Sequence, residues 1–153
     1  MSPNRISRPL IREAPLLRED ATVEEAVRAI LDSGLPALPV VDAEGRLAGV
    51  FGEREFLAAL FPGYLGELRF AGFVRRGLDE ALEKRAACRS EPVARHMTTD
   101  HVEVSEDVSD VQVAETFLHH RVRILPVRST EGLKGVITRG DFFTHLAERF
   151  LQQ

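Results

Sequence analysis

Two stretches of the chain decide its fold, because the second repeats the first: LPVVDAEGRLAGVFGEREF at residues 38–56 and LPVRSTEGLKGVITRGDF at residues 125–142. Both begin with Leu-Pro-Val, pass through a turn that ends in glycine, and reach a Gly-Val pair before a last apolar segment. The similarity extends over residues 16–60 and 103–146, with one residue lost in the second turn. Such a length of ordered similarity indicates that one structural unit is used twice.

Each copy predicts the same series of elements. Thr22 followed by Glu25, and Ser109 followed by Gln112, have the capping-box pattern that begins a helix. Apolar residues then recur at helical spacing: Val23, Ala26, Val27, Ile30 and Leu31 in the first copy, and Val111, Ala114, Phe117 and Leu118 in the second. Strands are predicted at 15–17, 37–41 and 47–51, and again at 102–104, 124–127 and 133–137. A final helix is predicted at 53–61 and at 140–153.

The predicted fold class is therefore α/β (α+β), with two strand-helix-strand-strand-helix units. Gly45 and Gly132 stand at the fourth position of the two tight turns, where a positive φ is favoured. One unit alone would leave a half-sheet with an uncovered apolar face, so we expect the two units to pack together.

Composition excludes several classes of function. The chain has 153 residues and a formal net charge of −4, which is a poor match for nucleic acid. Its single cysteine, Cys88, allows no internal disulfide. No apolar run approaches the ~20 residues that span a bilayer, and the first residues lack the apolar core of a signal peptide. The sequence thus predicts a cytoplasmic protein that binds neither membrane nor nucleic acid.

The repeated motifs resemble those of the CBS-domain family. Its G-h-h-[ST]-x-x-D pattern, in which h is apolar, is present in full at residues 135–141, and the h-P-V strand and D-x-x-G turn are present at residues 38–40 and 42–45. The resemblance implies two βαββα units packed as a pseudo-two-fold pair: motif 1 over 5–61, a helical insertion over 62–91, and motif 2 over 92–150. It also implies an adenosine-containing ligand, AMP, ADP, ATP or S-adenosylmethionine, bound in clefts between the motifs.

The family pattern places one site, cleft A, at the start of the last helix of motif 2. Ribose requires a carboxylate that accepts from its hydroxyls, and a phosphate requires hydroxyls, helix N-terminal amides or arginine. The resemblance assigns these parts to Asp141, Thr138, Arg139, Pro15, Leu35, Pro36 and Ala37. Thr and Asp at a strand-to-helix junction are also ordinary N-caps, so a purely structural role stays open.

The corresponding site of motif 1, cleft B, departs from the family pattern. Gly52 stands where the pattern has Thr or Ser, and Glu55 stands where it has Asp. By position the site comprises Glu55, Arg123, Thr98, Thr99, Val122 and Ile124. The departures imply that cleft B is the weaker of the two sites.

The insertion between the motifs allows two interpretations. It carries several basic residues, Arg69, Arg75, Arg76, Lys84, Arg85 and Arg89, and a predicted helix over 79–89 with Leu78, Ala81, Leu82 and Ala86 inward. One interpretation is a linker that packs on the rim or extends a dimer. The other is a lid whose arginines meet phosphates, or a docking surface for a protein partner through Tyr64, Phe70 and Phe73.

No catalytic or metal-binding constellation is present in the sequence. Nucleophile-elbow, Walker A and H-E-x-x-H motifs are absent, and the adjacent pair His119-His120 does not face one way on a helix. We therefore expect a non-enzymatic regulatory module that works as a homodimer without a metal. The alternative is a ligand-free interaction scaffold that uses residues 62–91.

Overall fold

The computed structural model describes residues 10–61, 77, 79, 80, 82, 83 and 85–153. The start predicted for motif 1 and most of the insertion lie outside this part. The predictions for the following residues are therefore outside the described residues: Tyr64, Arg69, Phe70, Phe73, Arg75, Arg76, Leu78, Ala81 and Lys84.

Each repeat folds into a three-stranded sheet and two helices. In motif 1 these are β1 (Leu17–Arg18), α1 (Val23–Ser33), β2 (Ala37–Val41), β3 (Leu47–Gly52) and α2 (Glu53–Leu60). In motif 2 they are β4 (Val104–Ser105), α3 (Asp110–His119), β5 (Ile124–Ser129), β6 (Gly132–Thr138) and α4 (Arg139–Leu151). The sheet orders are β1-β2-β3 and β4-β5-β6. This confirms the predicted α+β class and its two repeated units.

The first strand of each motif lies later in the chain than the sequence predicts. Strand β1 pairs in parallel with β2 only at Leu17↔Val40 and Arg18↔Val41, and β4 pairs with β5 at Val104↔Val127 and Ser105↔Arg128. Pro39 directly precedes Val40, and Pro126 directly precedes Val127, the first positions at which these pairs form. Because proline has no amide hydrogen for a sheet ladder, the predicted strands at 15–17 and 102–104 are wrong in their bounds.

Local hydrogen bonds fix the helix starts and the turns. Thr22 Oγ1 accepts from the Glu25 amide at 3.1 Å, and Ser109 Oγ accepts from the Gln112 amide at 3.2 Å, which confirms both capping boxes. Gly45 has φ 81° and Gly132 has φ 120°, as the turns require. In the first turn, the Arg46 and Glu44 amides donate to the Asp42 carboxylate, and the Arg46 amide in particular lowers the pKa of Asp42.

The hydrophobic cores exchange residues between the two motifs. Ile124 and Val136 of motif 2 belong to the core of motif 1, together with Val93 from the segment that precedes β4. Reciprocally, Leu10 from the segment that precedes β1 is buried in the core of motif 2. Neither motif completes its core alone, so the pair forms one packed unit.

Backbone pairing accompanies this exchange. Arg12 and Val136 exchange amide-to-carbonyl bonds of 2.8 and 2.9 Å, and Thr98 and Val50 do the same at 2.9 and 3.0 Å. In each case the segment that precedes one motif is attached to the last strand of the other. A Cβ at Gly135 would lie 2.2 Å from the Arg12 carbonyl oxygen, and one at Gly49 would lie 2.7 Å from that of Thr98. The repeated Gly-Val pair is therefore required by this close approach.

Three helix positions do not face the core as their apolar character predicts. Leu31, Val111 and Leu118 share the helical spacing of the apolar residues around them, but they are 75%, 70% and 84% exposed. Leu118 and Val111 instead form part of an uncovered apolar surface.

The described end of the insertion packs on the helices of motif 1. A 3-10 helix, Ala86–Ser90, occupies part of the region predicted as one helix over 79–89, and Leu82 and Ala86 are exposed rather than inward. Arg89 Nε donates to Glu24 Oε1 at 2.8 Å, and Arg85 Nε donates to the Ala59 carbonyl at 2.9 Å. These two arginines therefore attach the segment to motif 1 instead of facing a cleft. No helix within the described ranges has the length and apolar character needed to cross a membrane.

The substitution Gly135→Ala tests the close approach between the motifs. We expect it to lower the free energy of unfolding by about 1–3 kcal/mol, because the added methyl group overlaps the Arg12 backbone. Urea denaturation measures the change. The matched control is Gly140→Ala, a helical position where a Cβ meets no atom within 4 Å. Equal stability of the two variants would contradict this account of the inter-motif contact.

Candidate functional site

A cavity of about 720 Å³ lies between the two motifs at cleft B. Motif 1 contributes Pro36 and Ala37 before and at the start of β2, and the first turn of α2. Motif 2 contributes part of the segment that precedes β4, and residues 119–124, which run from the end of α3 to the start of β5. A concave site of this size, with apolar walls and a few convergent polar groups, has the dimensions of a small-molecule pocket.

Glu55 holds the two motifs together at one side of this cavity. Its Oε1 accepts from the Gly52 amide at 2.9 Å, and its Oε2 accepts from Thr98 Oγ1 at 2.7 Å. The first bond caps the N-terminus of α2, and the second reaches the segment that precedes motif 2. The carboxylate is therefore fixed in position at the rim of the cavity, and each oxygen retains further lone-pair capacity for a ligand hydroxyl.

The glycine that departs from the family pattern has a steric explanation. A Cβ at position 52 would lie 2.4 Å from Ala37 Cβ and 2.5 Å from the Pro36 carbonyl oxygen. The Pro36 carbonyl also accepts from the Glu53 amide at 3.0 Å. The threonine or serine of the pattern would not fit against this wall, so the missing hydroxyl is a consequence of close packing between β2 and the start of α2.

The opposite wall of cleft B comes from motif 2. Val122, Arg123 and Ile124 line the cavity, and Arg123 Nη1 lies 3.4 Å from Glu53 Oε2. Thr98 also lines the cavity, whereas Thr99 is exposed and lies outside the lining. Of the residues predicted for cleft B, Thr99 alone is thus not brought to the cavity.

At cleft A the helix start has the predicted chemistry, but its carboxylate is engaged. Thr138 is 6% exposed and its Oγ1 accepts from the Asp141 amide at 3.0 Å, which makes it the N-cap of α4. Asp141 Oδ2 lies 2.7 Å from Arg12 Nε, and Oδ1 accepts from Arg12 Nη2 at 3.1 Å. This two-point pair joins α4 to the segment that precedes β1.

The other residues assigned to cleft A lie in several different surroundings. Leu35 is buried in the core of motif 1, and Pro15 is exposed. Pro36 and Ala37 line the cavity at cleft B, because they lie directly against the start of α2. The Arg139 amide donates to the Arg123 carbonyl at 3.0 Å, and its side chain is exposed. The wall predicted for cleft A therefore belongs in part to cleft B.

Sequence reasoning missed two sets of residues that the structure brings to these sites. The first is Arg12. The repeat offset that aligns Val50 with Val136 also aligns Arg12 with Thr98, so this correspondence could have identified it. The other comprises polar residues that line the cavity at cleft B: Asp100, His101, His119, His120 and Arg121. Proximity to Thr98 and Val122 along the chain is the signal that would have found most of them.

The described ranges contain no group of three or more His, Cys, Asp or Glu side chains placed to hold a metal ion. Cys88 is buried beside α1 and α2, away from both clefts.

Comparison with known proteins identifies the repeated unit. The family model of the CBS domain matches residues 7–62 and again residues 93–148. Among curated proteins, YlbB of Bacillus subtilis is 30% identical over 120 residues, which cover 78% of this chain and 66% of YlbB. An uncharacterized protein of Methanocaldococcus jannaschii is 24% identical over 152 residues, 97% of this chain and 33% of the relative. The chain thus spans between one third and two thirds of the length of these relatives.

Solved structures share the fold of the pair. CBSX2 in complex with AMP has a TM-score of 0.61 and 22% identity, with 92% of this chain and 90% of that chain covered. A Methanocaldococcus jannaschii protein described as an archaeal homologue of gamma-AMPK has a TM-score of 0.70 and 20% identity, with 92% and 49% covered. At this level of identity the similarity establishes the architecture of the two motifs.

A double-mutant cycle on Arg12 and Asp141 tests the contact at cleft A. We expect Arg12→Ala and Asp141→Ala each to lower the free energy of unfolding, with a coupling energy of about 0.5–1 kcal/mol, because the pair is two-pointed but partly exposed. Thermal or urea unfolding of the four proteins measures it. A coupling energy of zero would mean that the pair does not fasten the segment before β1 to motif 2.

Proposed function

Since the chain belongs to the CBS-domain family as a tandem pair, we propose that it is a non-catalytic regulatory module that binds an adenosine-containing ligand between its motifs. The ligand class is AMP, ADP, ATP or S-adenosylmethionine. Proteins with this domain are generally regulatory and non-catalytic modules. Two solved structures of the same fold support a nucleotide as the ligand. They are the complex of CBSX2 with AMP and the archaeal gamma-AMPK homologue.

The cavity at cleft B is the single observation that carries this proposal. Its volume suits a nucleotide, and it combines groups from both motifs, which a ligand would bridge. Glu55 is placed for the ribose hydroxyls, Arg123 for a phosphate, and Pro36, Ala37 and Val122 for the face of an adenine ring. A ligand that contacts both motifs stabilises one relative orientation of them over others, and this is how binding would become a signal.

The geometry favours cleft B as the first site, although the sequence pattern favours cleft A. At cleft A the Asp141 carboxylate already neutralises Arg12, so a ribose must compete with that pair. At cleft B the Glu55 oxygens accept from neutral donors only, an amide and a hydroxyl. We therefore assign the primary site to cleft B and keep cleft A, with Thr138, Asp141 and Arg139, as a second site.

The homodimer is also a proposal, and the surface of motif 2 supports it. Phe143, Leu146 and Phe150 recur at helical spacing along one face of α4, and Val111 and Leu118 do so on α3. All five are exposed in the single chain, and Phe143 and Phe150 are 69% and 75% exposed. An apolar surface of this kind marks an interaction site, and a second copy presents the same self-complementary face.

Isothermal titration calorimetry with AMP, ADP, ATP and S-adenosylmethionine tests the ligand proposal. We expect at least one of them to bind, and Glu55→Gln to weaken that binding by about 1.5–3 kcal/mol, since a hydrogen bond to a charged group is lost. Asp141→Asn is the matched variant at cleft A and should retain the first binding event.

Binding by these two variants shows which cleft is the primary site. Loss of binding in Asp141→Asn with retention in Glu55→Gln would move the primary site to cleft A. If none of the four compounds produces heat, the ligand proposal is wrong, and a scaffold that uses residues 62–91 takes its place. Pulldown with that segment deleted then identifies whether it holds a protein partner.

Light scattering after size exclusion tests the dimer. We expect the chain to have twice its monomer mass, and Phe143→Glu combined with Phe150→Glu to give the monomer, because buried charges would then face each other. Leu31→Glu, at an exposed position on α1 of motif 1, is the matched control and should remain dimeric. A dimer that survives the double substitution would exclude this face.

A further inference from the structure

Residues 85–91 form a segment that bridges the start of α1 and the end of α2. Arg89 Nε donates to Glu24 Oε1 at 2.8 Å in the first turn of α1, and Arg85 Nε donates to the Ala59 carbonyl at 2.9 Å in the last turn of α2. A carboxylate near the N-terminus of a helix and a guanidinium on its last carbonyls both suit the helix dipole. Two arginines therefore hold the segment against the helices of motif 1.

The corresponding helices of motif 2 expose the surface that this segment covers in motif 1. In the repeat alignment Glu24 is equivalent to Val111, and Leu60 is equivalent to Leu146. Val111 is 70% exposed and Leu146 is 38% exposed, whereas Leu60 is 7% exposed and lines the cavity beneath the segment. Where motif 2 has an exposed valine, motif 1 thus has a carboxylate that binds the segment. Residues 85–91 therefore cover a surface that the described part of motif 2 leaves open.

The segment rests on the helices over a cavity of about 380 Å³. The walls of this cavity include Val27 of α1, Phe56 of α2 and Cys88 of the segment, whose side chain is 4% exposed. Atoms that face a cavity lack close partners there, so they gain little dispersion energy from the contact. The attachment consequently depends on the two arginine bonds. We expect the segment to separate from the helices at a lower free energy than global unfolding of the chain.

We propose that residues 85–91 are an intramolecular cover for the surface of α1 and α2, and that this cover restricts docking of a second copy to α3 and α4. The inference rests on the dimer proposed above for motif 2. Leu31 and Leu60, which line the cavity beneath the cover, are equivalent to Leu118 and Leu146 of the proposed dimer face. Because both faces present leucines at the same helical positions, a copy that docks on one can dock on the other once it is uncovered.

The cover determines whether the assembly closes at two chains. A chain with one self-complementary face forms a closed two-fold dimer. A chain with two such faces also allows contacts between unlike faces, and these contacts need not close. With α1 and α2 covered, the assembly ends at the dimer. Displacement of residues 85–91 would therefore raise the number of chains that associate.

The rate at which Cys88 reacts with dithionitrobenzoate measures how often the cover opens, because this residue is the single cysteine of the chain and is buried against the helices. We expect Arg85→Ala/Arg89→Glu to react about tenfold faster than the wild-type protein, since one hydrogen bond is lost and one attraction becomes a repulsion. Arg18→Glu/Arg46→Ala carries the same change in charge at exposed positions that pair with other carboxylates, and it should react at the wild-type rate.

A rescue variant separates release of the cover from a general loss of stability. In Glu24→Arg/Arg89→Glu the ion pair is re-formed with its charges exchanged. Cys88 should therefore react more slowly in this variant than in Arg89→Glu alone. Equal rates in the two variants would contradict a role of this pair in holding the cover.

Light scattering of the full chain at high protein concentration tests the effect of the cover on assembly. We expect Arg85→Ala/Arg89→Glu to exceed the mass of a dimer, whereas the charge-matched control stays dimeric. Phe143→Glu/Phe150→Glu disables the face on motif 2 and gives the monomer. Release of the cover in that monomer should double its mass, because the face on motif 1 is then open to a second copy.

Two results overturn this inference. One is a Cys88 reactivity of Arg85→Ala/Arg89→Glu equal to that of the charge-matched control. The other is faster reaction of Cys88 with no increase in mass. A wild-type chain that is already monomeric overturns the dimer through motif 2 alone, and a doubling of its mass after release then supports the cover independently.

Discussion

The rest of the structure depends on the reciprocal backbone pairing by which each motif holds the segment that precedes the other. Arg12 pairs with Val136, and Thr98 pairs with Val50, and the glycine next to each valine leaves room for the crossing chain. Because a motif has too little apolar surface to close its own core, Leu10 and Val93 complete the core of the opposite motif. The clefts arise where these exchanged segments meet the last helices.

The same pairing explains why the start of α2 and the start of α4 differ in their chemistry. Each of the carboxylates there, Glu55 and Asp141, contacts the segment preceding the other motif. At cleft B the contact is a neutral hydroxyl on Thr98, and at cleft A it is the cation Arg12. The difference between Thr98 and Arg12, which occupy equivalent positions, thus leaves the Glu55 carboxylate available to a ligand and neutralises that of Asp141. Symmetry of fold therefore does not imply symmetry of binding.

Elements governed by local chemistry could be predicted from the sequence, and elements governed by distant contacts could not. The capping boxes at Thr22 and Ser109, the positive φ of Gly45 and the bounds of β2 depend on neighbours in the chain. The pair of Arg12 and Asp141 joins residues 129 positions apart, and the requirement for Gly52 arises from the packing of Ala37. Leu118 shares the helical spacing of its apolar neighbours, yet it lies on an uncovered face of its helix.

A crystal structure of the protein grown with ADP would show whether the space between the motifs at cleft B is the ligand site. We expect density for the nucleotide in cleft B, with its ribose on the Glu55 carboxylate and its phosphates toward Arg123. Density confined to another surface of the protein would contradict this assignment. An unchanged, ligand-free cleft B at saturating ADP would contradict it equally.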